Sequence, residues 1–301
     1  VSGRVLVTGA AGFVGRHAVP ALRARGFEVH GVGRSASPGA DWHAADLLVP
    51  DERRALIAKI RPSHLLHLAW DAEPGRYWTS ARNLDWVAAS LDLAQAFAAA
   101  GGRRFVGAGT CAEYEWGAAR FDEATTPCRP ATLYGAAKDG TRRILEAYAA
   151  TNGLGLAWGR LFYLYGPGER PGRLVPDAIR ALSTRTPFPT TAGHQRRDFL
   201  HVADAAEALA ALVASDVTGP VNIGSGEAIP VRELLDALAV RIGGAEHLDF
   251  GARPLNPAEP AVIEAGTHIL TGVVGFRPRY DLVRGLDDTV AWWRAQGSAP
   301  D

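Results

Sequence analysis

The sequence predicts a doubly wound α/β fold: a parallel sheet covered by helices on both faces, with a smaller α/β lobe on its edge. Short apolar runs alternate with longer helical patterns through the first half of the chain, as repeated strand–helix–strand units require. The runs themselves, such as VLV at 5–7 and HLLHLA at 64–69, are nearly unbroken in apolar character. Strands buried on both faces read that way. The first of them leads directly into a turn with glycines at three-residue intervals, and a helical pattern follows.

Taken in order, strands are expected at 4–8, 28–32, 64–68, 103–108 and 155–160. Helices are expected near 13–26, 50–61, 77–101 and 134–152. From about Tyr165 the texture changes, and Gly166, Pro167, Gly168, Pro171, Gly172, Pro187 and Pro189 punctuate shorter elements. Helical patterns return near 173–184, 202–214, 230–243 and 282–295. The expected division is a first domain of residues 1–165, with 194–222 returning to it, and a second lobe of 166–193 and 223–301. Ligands of open α/β sheets bind beyond the carboxyl ends of the strands, so the substrate is expected between the lobes.

Composition narrows the function. The 32 basic and 32 acidic residues cancel, so no global field recruits nucleic acid or a membrane surface. Cys111 and Cys128 lack metal-ligand spacing and suggest no disulfide framework, which points to a reducing compartment, the cytoplasm. No run approaches the roughly 18 apolar residues of a membrane helix, and the chain opens on a strand pattern, so neither a span nor a signal peptide is expected. The histidines are scattered without H-x-x-x-H spacing, and no metal site is expected.

The chemistry begins at TGAAGFVG, residues 8–15. Gly9 permits a tight turn, Gly12 lets the backbone approach a pyrophosphate, and Gly15 permits close helix–strand packing; the following helix then offers its amides and positive end to the anion. This spacing predicts a Rossmann-type dinucleotide cradle, with Phe13 and Val14 inside it; a plain glycine-rich turn is the alternative. Further along, YGAAK sets Tyr134 and Lys138 one helical turn apart on one face. A free phenol titrates near pH 10, and a neighbouring ammonium that favours the phenolate by about two or three units makes it useful near neutrality, at about 1.4 kcal/mol per unit. Such a pair also occurs on helix surfaces without a catalytic role.

The glycine spacing and YGAAK together resemble the short-chain dehydrogenase/reductase superfamily, in its extended branch that modifies sugar nucleotides. The resemblance runs through essentially the whole chain. In GAGTCAEYEWG at 107–117, Thr110 stands four residues before Tyr114, where the superfamily places a hydroxyl that bonds the reacting oxygen; a Thr closing a strand is the plain alternative. The branch's dehydratases carry an Asp–Glu pair directly after that Thr, whereas this chain has Cys111–Ala112 with Glu113 one position further on. Dehydration needs a separate acid and base, so a dehydratase is not expected. Cys111 reads as a small packed residue beside the substrate rather than a nucleophile.

HLAW at 67–70 is similar to the branch's HxAA segment, with Trp70 the departure, and the resemblance brings Leu68, Ala69 and Trp70 to the cofactor. Asp46 in AADL, with Leu47, matches the position that holds the adenine amino group, and Asn83 the position of a buried helical Asn. In RRDFLHVAD, Arg197 matches an arginine that meets the substrate pyrophosphate, while His201 and Asp204 are expected to knit the lobes. GRLFYLYGPG at 159–168 leads into the substrate lobe, with Tyr163 where the family often has Asn. Arg253, ahead of a P-x-x-P-x-E-P stretch, matches a further diphosphate contact or is a solvated surface residue. Arg173, with Trp70, Trp78, Trp116 and Tyr163, is a candidate for the sugar pocket. The remaining matches, NIGSGE at 222–227 and the tail GFRPRYDLVRGLDDTVAWW, imply no site.

The stretch GVGRSA at 31–36 bears on the cofactor. NAD-using relatives end this strand in an acid that takes both adenosine ribose hydroxyls; here that position is Gly33, followed by Arg34 and Ser35. A carboxylate would oppose a 2′-phosphate by about 4 kcal/mol at 4 Å and an effective dielectric near 20. Gly33 removes it, Arg34 offers a charged fork and Ser35 a hydroxyl; a solvated loop arginine is the alternative. The expectation is NADP(H), with NAD(H) second, and reduction of a nucleotide-linked 4-keto-6-deoxyhexose with Thr110, Tyr134 and Lys138 as the catalytic group. A sugar-nucleotide epimerase is the alternative, and a non-catalytic dinucleotide sensor the remote one. The resemblance also implies a homodimer through the helices near 77–101 and 134–152, and a nucleotide-diphosphate sugar as the small-molecule partner.

Overall fold

A computed structural model of the chain describes residues 3–33, 36 and 38–297. The first half alternates β1 (Arg4–Thr8), α1 (Gly15–Ala24), β2 (Glu28–Gly33), β3 (Asp41–Ala44), α2 (Pro50–Ile60), β4 (His64–His67), α3 (Arg82–Ala99), β5 (Arg104–Thr110), α4 (Leu133–Asn152) and β6 (Gly155–Leu161). There follow β7 (Tyr163–Tyr165), α5 (Leu174–Thr184), β8 (Phe188–Thr190), β9 (Arg196–His201), α6 (Val202–Val213), β10 (Gly219–Ile223), β11 (Ala228–Pro230), α7 (Val231–Ile242), β12 (Leu248–Phe250), β13 (Val262–Ile263) and α8 (Leu282–Ala295).

Seven strands form one sheet in the order β10-β6-β5-β4-β1-β2-β3, every pairing parallel. Strand periodicity sorts the core: Val5 and Val7 of β1 face α1 and α6, and Leu6 between them faces the side of α2, α3 and α4. Burial on both faces explains the unbroken apolar runs. The chain leaves β1 toward β2 on one side, while β4 lies on the other. That reversal opens a crevice at the carboxyl ends of β1 and β4, the usual ligand position in such sheets.

Local chemistry sets the helix ends that matter to the crevice. Thr132 caps α4, its hydroxyl accepting from the Gly135 amide at 3.1 Å, which fixes the turn carrying Tyr134. Gly153 ends the same helix at φ 65°, a left-handed position that suits glycine.

In the second lobe β9 is central, pairing with β7, β11 and β13. The expected boundary assigns all of 194–222 to the large sheet; instead β9 stays in the small one, and only α6 and β10 return. The lobe's core gathers α5, α7 and α8. Fully buried Asp204 at the start of α6 accepts the amides of Arg279 and Tyr280 at 2.9 and 2.8 Å, and the His201 ring lies 4.1 Å from that of Tyr280. Both residues therefore tie α6 and β9 to the segment before α8.

Candidate active site

A cleft of about 2050 Å³ runs from the glycine turn after β1, past the ends of β4 and β5, to the second lobe. Gly9 holds φ 68°, and its carbonyl accepts the Gly12 amide at 2.9 Å. A Cβ on Gly15 would stand 2.1 Å from the Gly9 carbonyl oxygen and 2.7 Å from Ala10 Cα; one on Gly12 would be 3.0 Å from the same oxygen. The helix α1 starts with no side-chain cap. Bare backbone thus lines the cradle at Gly9, Gly12, Phe13, Val14 and Gly15, and this donor set fits the pyrophosphate of a dinucleotide.

The floor is a hydrogen-bonded column. Thr8 Oγ1 accepts the Leu68 and Ala69 amides at 3.0 and 3.1 Å and pairs with His67 Nδ1 at 2.8 Å. His67 Nε2 meets Ser90 Oγ at 2.9 Å, and that hydroxyl donates to the Trp86 carbonyl. The chain of donors places the His67 proton on Nε2. Burial pushes this histidine down to about 3, which keeps it neutral.

At the adenosine end, Asp46 and Leu47 line the cleft, and Asp46 Oδ1 accepts the Leu48 amide at 2.9 Å. Gly33 lines it too. A Cβ on Gly33 would come 3.2 Å from the Trp42 ring of β3. Close packing against Trp42 is therefore a second reason for glycine at this position, beside the absence of a carboxylate. Arg34 and Ser35 lie outside the described residues.

The catalytic candidates meet on one wall. Thr110 ends β5, and its Oγ1 accepts the Ala112 amide at 3.2 Å, leaving its own proton to donate. Tyr134 rises from the first turn of α4 beside Thr110, with Tyr77 edge-on at 4.8 Å and Trp78 at 5.8 Å. Burial drives the phenol upward, Tyr77 adds to this, and Thr110 opposes it. Lys138 Nζ donates to the Ala108 carbonyl at 2.9 Å and sits 3.8 Å from the centre of the Trp70 ring. Burial pulls it down to about 7. The expected lowering of the Tyr134 phenol is therefore not what the protein alone provides: desolvation dominates both groups and favours their neutral forms.

Glu113 is committed to the fold. Its Oε1 accepts the Thr110 amide and Trp158 Nε1, each at 2.8 Å, and its Oε2 accepts Arg160 Nε at 2.8 Å. Arg160 also donates to the Tyr114 hydroxyl, which donates to Asn222. No oxygen of Glu113 is free to act on a substrate.

Of the substrate-side candidates, Cys111, Tyr163, Arg173, Arg197 and Arg253 all border the cleft. Burial pushes the Cys111 thiol up to about 12, an inert state. Tyr163 packs edge-to-face on Phe199, with the Arg197 guanidinium 5.6 Å from its ring centre. Arg197 is buried and already paired with Glu259, so part of the charge assigned to a diphosphate is neutralised within the chain. Arg173 lies over the Tyr77 ring and donates to the Ala72 carbonyl at 3.1 Å; exposed Arg253 follows β12. Asn83 accepts from Trp70 Nε1 and donates to the Tyr77 and Ser80 carbonyls, each at 2.8 Å.

Sequence reasoning missed Glu169. It borders the cleft, its Oε2 is buried with no hydrogen-bond partner among the described residues, and burial pushes its carboxyl up to about 8. Its place in GPGER, the bend into the second lobe, was the available signal.

A dinucleotide cradle sharing one cleft with a Thr–Tyr–Lys group defines an oxidoreductase of the short-chain dehydrogenase/reductase class. Within it the chain belongs to the NAD dependent epimerase/dehydratase family, whose pattern matches residues 5–224. Three similar proteins carry three different reactions in their names. A dTDP-glucose 4,6-dehydratase of Actinoplanes is 30% identical over 57% of this chain, and the match spans only 54% of that enzyme. A 3-diazoavenalumate denitrifying reductase of Streptomyces is 33% identical over 80% of this chain and 82% of its own. The UDP-glucose 4-epimerase of Thermus thermophilus, solved with NAD, superimposes with a TM-score of 0.84 over 97% of this chain and 99% of its own, at 28% identity. No helix among the described residues is long and apolar enough to cross a membrane.

Proposed function

We propose that the protein is an NADPH-dependent reductase of the keto group in a nucleotide-linked 4-keto-6-deoxyhexose. The arrangement that carries this reading is Tyr134, half-buried between Tyr77 and Trp78, with the hydroxyl proton of Thr110 left to donate beside it. Two donors so placed suit an oxygen that gains negative charge. The cofactor, held at Gly9, Gly12, Phe13, Val14 and Gly15 with Asp46 and Leu47 at its adenosine end, supplies hydride when bound. Tyr134 gives its proton to the carbonyl oxygen, Thr110 shares that oxygen, and the Lys138 ammonium steadies the phenolate left behind. Glu113, with both oxygens occupied, supports the absence of dehydratase chemistry. Arg173, Arg197 and Arg253 are the proposed contacts of the diphosphate, with Arg197 acting as one member of its pair with Glu259.

The cofactor preference rests on the sequence at Gly33 and Arg34, and its test is a titration with NADPH and NADH. Residues 1–165 are proposed as the dinucleotide domain, with α6 and β10 returning to it. A cytoplasmic homodimer through α3 and α4, which pack side by side, belongs to the same reading, and light scattering on the purified protein tests the dimer. The likeness to an epimerase solved with NAD favours one second reading, a sugar-nucleotide epimerase. Firmly retained oxidised cofactor and turnover without added reductant distinguish it. The primary test is NADPH consumption with a nucleotide 4-keto sugar, expected in the wild type and lost in Tyr134→Phe; consumption by that variant at the wild-type rate refutes the assignment.

A further inference from the structure

The buried ammonium of Lys138 has an unusual set of neighbours. Its one hydrogen-bond acceptor among the described residues is the Ala108 carbonyl of β5. From α4, Tyr134 is neutral and Asp139 is spent on Arg142 and Arg143. From β4, His67 is neutral and held by Thr8 and Ser90. Glu113, after β5, favours the charged lysine from a distance, but its oxygens are taken by Thr110, Trp158 and Arg160. No carboxylate oxygen among the described residues touches Nζ, and burial alone drives the group toward neutrality.

What does touch it is the face of Trp70, at 3.8 Å from the ring centre. That ring is braced on two sides. Its Nε1 donates to Asn83, itself fixed by two backbone carbonyls, and it stacks on Trp86 with centres 6.2 Å apart and planes within 26°. A tryptophan face attracts an ammonium through its quadrupole, and more strongly where water is excluded. Trp70 is also the residue at which HLAW departs from the resembling motif.

We propose that Trp70 is a positioning residue for Lys138, its braced indole seating the ammonium against the Ala108 carbonyl in place of the carboxylate that this wall lacks. The consequence for turnover rests on the catalytic reading above, while the seating of the charge does not.

The chain has two lysines, Lys59 and Lys138, so lysine labelled with carbon-13 at Cε gives two signals whose pH titrations read each ammonium directly. Lys59, exposed on α2, serves as the internal reference. Trp70→Leu is expected to lower the Lys138 midpoint by about 0.5 to 1.5 pH units, and Trp70→Phe, with a weaker ring face, to lower it by less. The alkaline limb of turnover moves with the midpoint. An unchanged Lys138 midpoint in the variant that folds, or a rise, as expected if Trp70 only shields the lysine from water, overturns the proposal. If no nucleotide keto sugar is turned over at all, the functional reading fails and the titration still decides the role of Trp70.

Discussion

Arg160 donates through Nε to Glu113 Oε2 at 2.8 Å, and solvent reaches neither side chain. The pair lies directly beneath Thr110, whose amide it fixes through the other Glu113 oxygen. Removing the charge of one partner leaves the other buried and uncompensated. Glu113→Gln is therefore expected to destabilise the fold by about 3–5 kcal/mol. Urea unfolding checks this, and a midpoint equal to that of the wild type contradicts it.

Tyr134→Phe is expected to separate activity from stability. The phenol has no structural hydrogen bond comparable to that of Thr110, so the melting temperature stays close to that of the wild type. Turnover is expected to fall about 10²- to 10⁴-fold, the usual contribution of a positioned proton donor. Parallel calorimetry and rate measurements decide whether the two effects part in this way.

Two glycine substitutions should move in opposite directions. A Cβ at Gly15 collides with the backbone of Gly9 and Ala10, so Gly15→Ala is expected to spoil the cradle and abolish dinucleotide binding. On α4, Gly140 has open space where its Cβ would be, and Gly140→Ala is expected to stabilise the protein by about 0.5–1 kcal/mol. Thermal unfolding and cofactor titration on both variants provide the comparison.

The buried His67 implies a defined pH response. Its folded value, about 3, lies below the ordinary 6.5, so between those limits the unfolded chain binds a proton that the native protein refuses. Stability then rises with pH across that window, and acidification from 6.5 toward 3 costs about 1.4 kcal/mol per pH unit from this group. Replacing it with a residue that does not titrate, His67→Gln, is expected to flatten the slope of unfolding free energy against pH between 6 and 4. An unaltered slope there contradicts the neutral column from Thr8 to Ser90.

Arg34 gives the cofactor prediction. The wild type is expected to bind NADPH more tightly than NADH. Loss of one charged contact in Arg34→Ala should cost NADPH about 10- to 150-fold in affinity while NADH binding is retained. Equal affinities in the wild type would remove the argument drawn from GVGRSA.

Much of this molecule is legible in its sequence because it depends on local pattern. Apolar runs place β1 and β4, and glycine spacing places the cradle. Tyr134 and Lys138 share a face because a helix turns every 3.6 residues. The rest depends on partners distant in the chain. Glu113 reads only as an acid one position out of place until Arg160, far along on β6, is found against it. Strand β3, DWHA, escapes notice because an edge strand needs no apolar run. Charged RRDFLH gives no sign that β9 centres the small sheet, where Arg197 finds Glu259. Gly33 shows the same limit, since the Trp42 ring packed near it comes from β3, a strand the sequence does not announce.

The most direct test mixes purified protein with NADPH and a nucleotide-linked 4-keto-6-deoxyhexose and follows cofactor and sugar together. One NADPH consumed for each hydroxyl formed, with the rate collapsing in Tyr134→Phe, is the expected result. Interconversion of sugars without net NADPH consumption, or an undiminished rate in that variant, would contradict reduction at the Thr110–Tyr134–Lys138 wall.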